Sequence, residues 1–305
     1  MDIINELKKR YKNGSVVFKL IFINVAAFIV VGILNLFSLF GVPGLATEKW
    51  LAVPADLESL LYKPWTLITY MFLHYDFLHI LFNMLWLFWF GQMFMQFIIP
   101  KRMLSVYILG GLSGAIMYIV AFNLIPAFQP SVPVSMALGA SASVYAIVVA
   151  VCAYAPDHSI GLLFIGRVKL KYIAIVVVVI DVLSISKGNA GGHIAHLGGA
   201  LFGYLFAIRL KKGKDITKGF AATMDWLASL LKRQPKMKVT SNKYKRSQKP
   251  SSGASSTRTA SDMDYNKKKK ISQAEIDRIL DKISKKGYDS LTKDEKDTLF
   301  DMSKK

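Results

Sequence analysis

A single cysteine, Cys152, stands among the 305 residues. That excludes a disulfide framework and any multi-cysteine metal site. The thiol lies inside an apolar run and reads as an inert packed side chain. Charge is also scarce, at 19% of residues where a soluble domain carries about 25%. Acidic residues are the scarcest, 20 Asp+Glu against 39 Lys+Arg. What is abundant is apolar: 53% hydrophobic residues, with a mean hydropathy of +0.36. The charge is unevenly placed, with 16 basic against 8 acidic residues over 1–212 and 23 against 12 over 213–305, nets of +8 and +11. An apolar body with a basic tail describes a membrane protein carrying a soluble appendage. It excludes a secreted globular domain and leaves nucleic acid a poor explanation of the net +19.

A membrane-spanning helix needs about 20 mostly apolar residues. Six segments qualify to within a few residues: 17–40, 78–98, 103–125, 135–155, 172–186 and 192–210. The fifth core, IAIVVVVI, is β-branched enough for a buried strand. Beside five stronger neighbours it reads as a helix, because lipid admits only helices or closed barrels. The polar start, 1–14, precedes an apolar run too long for a cleaved signal peptide, so the first span is read as retained. Basic clusters at Lys8–Lys12, Lys101–Arg102, Arg167–Lys171 and Arg209–Lys212 flank alternate loops or the termini. The positive-inside rule then places both termini in the cytoplasm, with spans two, four and six running inward.

Polar side chains within lipid are functional candidates by default. His79 and Asn83 share one helix face in the second span. Ser141 and Ser143 lie in ALGASASVYA of the fourth, and His193 and His196 in GGHIAHLGGALFG of the sixth. Because the three spans run the same way, the three sets fall at similar depth. Ser141 is expected about six residues into its helix, or roughly 9 Å. Gly199 and Gly203 stand at the small-xxx-small spacing that lets membrane helices approach closely. Such spacing commonly marks packing alone, and a serine in a span commonly bonds its own helix. A serine, two histidines and an asparagine at one depth are harder to assign to packing. A serine hydroxyl beside an imidazole is the arrangement for nucleophilic acyl transfer.

These residues resemble the rhomboid family of intramembrane serine proteases over about 15–212. The family's GxSG motif appears as Gly139-Ala140-Ser141-Ala142, its AHxxGxxxG motif as Ala195-His196 through Gly203, and its HxxxN pair as His79 and Asn83. Tyr145 stands where family members often place an aromatic against the catalytic histidine. Three departures stand beside these matches: Ala142 for the second glycine, Thr66 where Trp-Arg is common, and Gln96 for a glutamate. The resemblance implies an all-α, six-span rhomboid-like bundle acting as a serine endopeptidase, with no metal or other cofactor. It implies Ser141 as nucleophile and His196 as general base and later acid, in a dyad. His79, Asn83 and the Ser141 backbone N–H are the oxyanion candidates; Gly139 and Tyr145 support the site, and Gly199 and Gly203 pack the helices. Asp181 is the tempting third member. It is set aside because rhomboids act without one and a helix-end aspartate can reach water. His193 is read as closer to water, His74 as interfacial and Ser143 as packing. Transmembrane proteins are the implied substrates, approaching laterally between spans two and five, with Trp86, Phe88, Trp89 and Phe90 as a lipid-facing wall. The rival reading is a non-catalytic rhomboid-like protein that binds transmembrane clients; a six-span transporter would need interrupted helices and paired midplane carboxylates.

Beyond the body, 213–232 places Ile216, Phe220, Met224, Leu227, Leu230 and Leu231 along one stripe, an amphipathic juxtamembrane helix suited to anionic lipid or to packing on the protein. Residues 233–270, ending in Lys267–Lys270, read as a basic disordered linker. Interleaved aromatics are missing from it, so no nucleic-acid partner is expected. Residues 271–305 read as a helical hairpin with capping boxes Ser272–Glu275 and Thr292–Glu295 and a helix stop at Gly287, docking on a protein or on the body. Asp2 and Glu6 argue against a transit peptide, which places the chain in a bacterial-type plasma (inner) membrane.

Overall fold

A computed structural model describes residues 3–39, 47–162, 166–231, 277–285 and 287–303. The linker expected over 233–270, the Ser272–Glu275 box and Ile276 lie outside these residues. The chain forms two compact units, Met1–Pro235 and Lys236–Lys305.

The first unit is almost entirely helical. In chain order it contains α1 (Ile3–Asn13), α2 (Val16–Leu39), α3 (Thr47–Leu51), β1 (Val53–Pro54), α4 (Leu57–Tyr62), α5 (Thr66–Thr69), α6 (Phe77–Phe97) and α7 (Lys101–Leu124). There follow β2 (Met136–Ala137), α8 (Ser141–Tyr154), β3 (Ser159–Leu162), β4 (Gly166–Lys169), α9 (Leu170–Ser184), α10 (Ala190–Lys211) and α11 (Lys218–Leu231). Val16–Phe37, Phe77–Phe97, Lys101–Leu124 and Ala190–Lys211 are long and apolar enough to cross a membrane. The apolar runs become helices because a helix satisfies its own backbone where water is missing. Their starts are marked by side-chain caps: Asp76 accepts from the His79 backbone N–H at 2.8 Å, and Asn189, at φ 50°, accepts from Gly192 N–H at 3.3 Å.

The fourth apolar segment differs from expectation, while the short fifth is the helix expected. The helix α8 has 14 residues and α9 has 15. The first residues of the expected 135–155 span are not helical. Met136–Ala137 pairs antiparallel with Val53–Pro54, Ala55 N–H donates to Ser135 O at 3.0 Å, and Gly139 N–H donates to Tyr70 O at 2.9 Å. Gly139 then turns the chain at φ +131°, a conformation open to glycine. Ser141 is therefore the first residue of its helix, not the sixth. A continuous apolar run cannot by itself separate a buried strand from a helix, which is why hydropathy extended this helix too far. The polar start is likewise helical, as α1, and the loop before α9 holds the β3–β4 hairpin with Ser159 opposite Lys169.

The helix α8 is the most enclosed element: ten of its residues are buried, and α6, α7, α9 and α10 pack around it. Its contact with α10 is set by glycine. A Cβ at Gly199 would stand 2.0 Å from Ala142 O, and one at Gly203 would stand 2.2 Å from Ala146 O. Outside this core, Ile175, Val176, Val179 and Ile180 of α9 and Ile29, Val30 and Ile33 of α2 are exposed, as lipid-facing apolar surfaces are. Several buried polar groups are paired across elements. Asn24 donates to Leu20 O and the Tyr107 hydroxyl, Tyr107 donates to Met71 O, and Tyr70 donates to Gly111 O, fastening the 70–72 turn to α2 and α7.

At the far end, Asp215 accepts from Arg102 Nε at 2.7 Å and from the Thr217 hydroxyl at 2.6 Å. This turn delays the juxtamembrane helix to Lys218. The second unit holds α12 (277–285) and α13 (Lys293–Ser303). Gly287 follows at φ +77°, and Thr292 and Glu295 form the reciprocal capping box, with Thr292 N–H to Glu295 Oε2 at 2.8 Å. Lys282 pairs with Glu295 at 2.7 Å, and together with the Thr292 N–H it holds that carboxyl down at about 2. Ile279 and Leu291 are buried between the two helices.

Gly203→Ala is expected to cost about 1–3 kcal/mol, as overpacking does, in reversible unfolding from detergent micelles. Gly32→Ala, whose Cβ would meet nothing within 4 Å, should leave stability unchanged or slightly raised.

Candidate functional site

Where α6, α8 and α10 converge, a cavity of about 740 Å³ opens. Ser141, His196, His79, Asn83 and Tyr145 all line it, together with Asn189. The three polar sets singled out from the sequence thus meet in one place. Ser141 sits at the first position of α8, where the leading backbone N–H groups have no helical partner and the helix dipole is positive. His196 is held one turn and a half into α10. Tyr145, one turn after Ser141, stacks on its ring at 4.4 Å between centroids and 15° between planes. Among the described residues no hydrogen bond joins the Ser141 hydroxyl to His196, and catalytic hydrogen bonds commonly tighten only with substrate in place.

His79 faces the turn before the serine. A Cβ on Gly139 would stand 3.0 Å from His79 Nε2 and 3.5 Å from Ser141 Oγ. Glycine is therefore required here both by φ and by the imidazole. The Tyr75 backbone N–H donates to His79 Nδ1 at 3.4 Å. An accepting Nδ1 assigns the proton to Nε2, so His79 presents a donor toward the cavity. Asn83 spends one amide N–H on His79 O at 2.9 Å, keeping the second. Ala142, in place of the family's glycine, fits because Gly114 of α7 faces its methyl; a Cβ there would stand 2.6 Å away. Thr66 is fully buried and donates to Lys63 O at 2.6 Å, closing the turn before α5.

Two expectations are corrected, that of Asp181 and that of the aromatic wall. Asp181 does not reach water: it is 2% exposed, and its Oδ1 lies 2.6 Å from His193 Nδ1 and 2.9 Å from His196 Nδ1. His193 is tied to the same carboxylate and, at 22% side-chain exposure against 17% for His196, lies closer to water, as expected. His74 is buried, with its ring 5.1 Å edge-on from His79 and neither nitrogen hydrogen-bonded. The aromatic wall also divides: Phe88 and Trp89 are exposed, Phe90 is buried, and Trp86 lines the cavity and stacks on Phe90 at 5.2 Å. Ser143 is buried and packs toward Gly111, as expected.

Asp181, His193 and His196 each offer a ligand atom, all within 4.8 Å of one another, the donor types of a two-histidine, one-carboxylate metal site. Ligands of a tetrahedral zinc stand roughly 3.3 Å apart at the usual metal–nitrogen distances. The 2.6 and 2.9 Å separations are hydrogen-bond lengths, so the cluster is closed on itself. The sequence signal for this carboxylate was its isolation as an acidic group in an apolar run, fifteen residues before His196.

A membrane bundle whose glycine-packed helices bring a serine and a histidine to one cavity is the architecture of the rhomboids. Residues 62–213 match the rhomboid domain. RHOMBOID-like protein 12, mitochondrial, of Arabidopsis thaliana is 31% identical over 158 residues, 49% of this chain and 47% of that protein. Presenilin-associated rhomboid-like protein A, mitochondrial, of Danio rerio is 28% identical over 135 residues, 43% of this chain and 34% of that one. The chain spans less than half the length of these relatives. Residues 260–305 match a family of unknown function, DUF6576. The chain belongs to the rhomboid family.

Burial, and then the adjacent His79, hold the His74 imidazole down at about 4. An unfolded histidine titrates near 6.5, so between those values the unfolded chain binds the extra proton. Stability is then complete above about pH 6.5 and falls as pH drops toward 4. His74→Phe should flatten this loss by about 2–3 kcal/mol, read from unfolding free energies at pH 7 and pH 4.5.

Proposed function

We propose that this chain is an intramembrane serine endopeptidase that cleaves membrane-anchored proteins near the outer face of the bilayer. The carrying observation is that Ser141 and His196, from two glycine-packed helices, line one cavity beside a helix N-terminus. Ser141 Oγ attacks the scissile carbonyl carbon while its proton passes to His196 Nε2. Collapse of the tetrahedral intermediate breaks the C–N bond, and the same proton goes to the leaving nitrogen. Water then releases the acyl group by the reverse sequence. The oxyanion meets the Ser141 backbone N–H, the His79 Nε2–H and the remaining Asn83 N–H, each such donor supplying about 2.7–4 kcal/mol in serine hydrolases. Gly139 gives His79 room to approach, and Tyr145 holds the plane of His196.

In this reading α2, α6, α7, α8, α9 and α10 all cross the membrane, both termini are cytoplasmic, and the membrane is a bacterial-type plasma membrane. The alternating basic clusters support that orientation; the mitochondrial location in the relatives' names belongs to those proteins. A substrate helix arrives laterally from the bilayer and unwinds at the cavity, and the α12–α13 pair serves as a cytoplasmic docking element.

Purified protein in liposomes should cut a single-span substrate and label at Ser141 with a fluorophosphonate. Ser141→Ala should lower cleavage by on the order of 10³-fold or more without altering the unfolding midpoint. Cleavage surviving in that variant refutes the assignment.

A further inference from the structure

The helix α9 carries one acidic side chain, Asp181, in a run that is otherwise apolar. A carboxylate taken out of water costs several kcal/mol unless donors replace its hydration. Here they do: Oδ1 has an imidazole Nδ1 at 2.6 Å from His193 and another at 2.9 Å from His196. We propose that Asp181 is the positioning residue of this site, fixing the His196 tautomer so that Nε2 is left bare toward the cavity. The proposal rests on the acyl-transfer reading and deepens it.

The chemistry follows from what each atom can do. An ionised carboxylate only accepts hydrogen bonds, so the ring nitrogens facing it carry protons. With the proton on Nδ1, neutral His196 keeps a lone pair on Nε2, the form that can take the Ser141 proton. When it does, the imidazolium holds both protons and the adjacent carboxylate stabilises its charge. Asp181 gives up and takes no proton in the cycle; it orients the ring.

The orientation is locked from three sides. Tyr145 lies flat against one face of His196 at 4.4 Å. Asp181 holds the Nδ1 edge. His193, with its ring at 86° to that of His196, holds the same Oδ1 from a second direction and keeps the carboxylate from turning away. A flipped His196 would set a C–H against the carboxylate and lose this bond. The helices α9 and α10 are thereby joined through polar groups at the level of the site.

Asp181→Asn is nearly isosteric and its amide can donate to Nδ1, which stabilises the wrong tautomer. In liposomes kcat should fall about 10²- to 10⁴-fold, the range found when a serine hydrolase loses its orienting carboxylate, with KM changed less than about threefold. Histidine-selective ¹⁵N NMR of the unsubstituted protein in micelles supplies a readout independent of activity and of the variant's folding. His196 should show a protonated Nδ1 and a bare Nε2. A variant turning over within about threefold of the parent, while Ser141→Ala remains inert, overturns the positioning role and leaves the serine reading standing. A His196 protonated on Nε2 in the parent also overturns it. A parent chain that neither cleaves nor labels removes the serine reading and this role with it.

Discussion

Two backbone carbonyls of α8, those of Ala142 and Ala146, face Gly199 and Gly203 so closely that α10 has no room for a side chain at either position. The site depends on this crossing. Ala142 follows Ser141 and Ala146 follows Tyr145, so the glycines that seat α10 also set the height of His196 against the serine and beside the tyrosine ring. Gly114 of α7 closes the other side of Ala142. Without a hydrophobic drive between helices in lipid, close van der Waals packing of this kind is what associates them, and the placing of His196 beside Tyr145 follows from the same contact.

A second constraint acts ahead of the serine. The 135–139 segment is stitched to β1 and to Tyr70, and Tyr118 reaches it by a hydrogen bond to Ser135 at 2.8 Å. This extended approach ends in the positive φ of Gly139, and α8 begins at once. The serine therefore arrives with unpaired N–H groups beneath it. Asn189, also at positive φ, starts α10 on the opposite side of the cavity. The two turns, one from glycine and one from asparagine, bracket the polar opening.

The bundle and the meeting of Ser141, His196, His79 and Asn83 were legible because lipid restricts the backbone to helices and makes each buried polar group conspicuous. Where the reading failed, it failed for identifiable causes. Apolar character alone did not distinguish the β2 strand from the first turns of a span, so α8 was drawn too long. The partners of Asp181 come from another helix across a turn, and no spacing rule connects positions 181, 193 and 196; a dyad expectation then outweighed an intramembrane carboxylate that was already unusual. The capping box at Thr292–Glu295 was readable because it is local.

The shortness of α8 has a consequence for the space above its first turn. Fourteen residues rise about 21 Å, while a hydrocarbon layer is about 30 Å thick. Enclosed by α6, α7, α9 and α10, a helix cut short at its serine end leaves that shortfall to the extended 135–139 approach and to the cavity rather than to further helix. Under the proposed acyl-transfer reading, which consumes a water molecule, an opening at the helix start would give water a way down to the scissile bond.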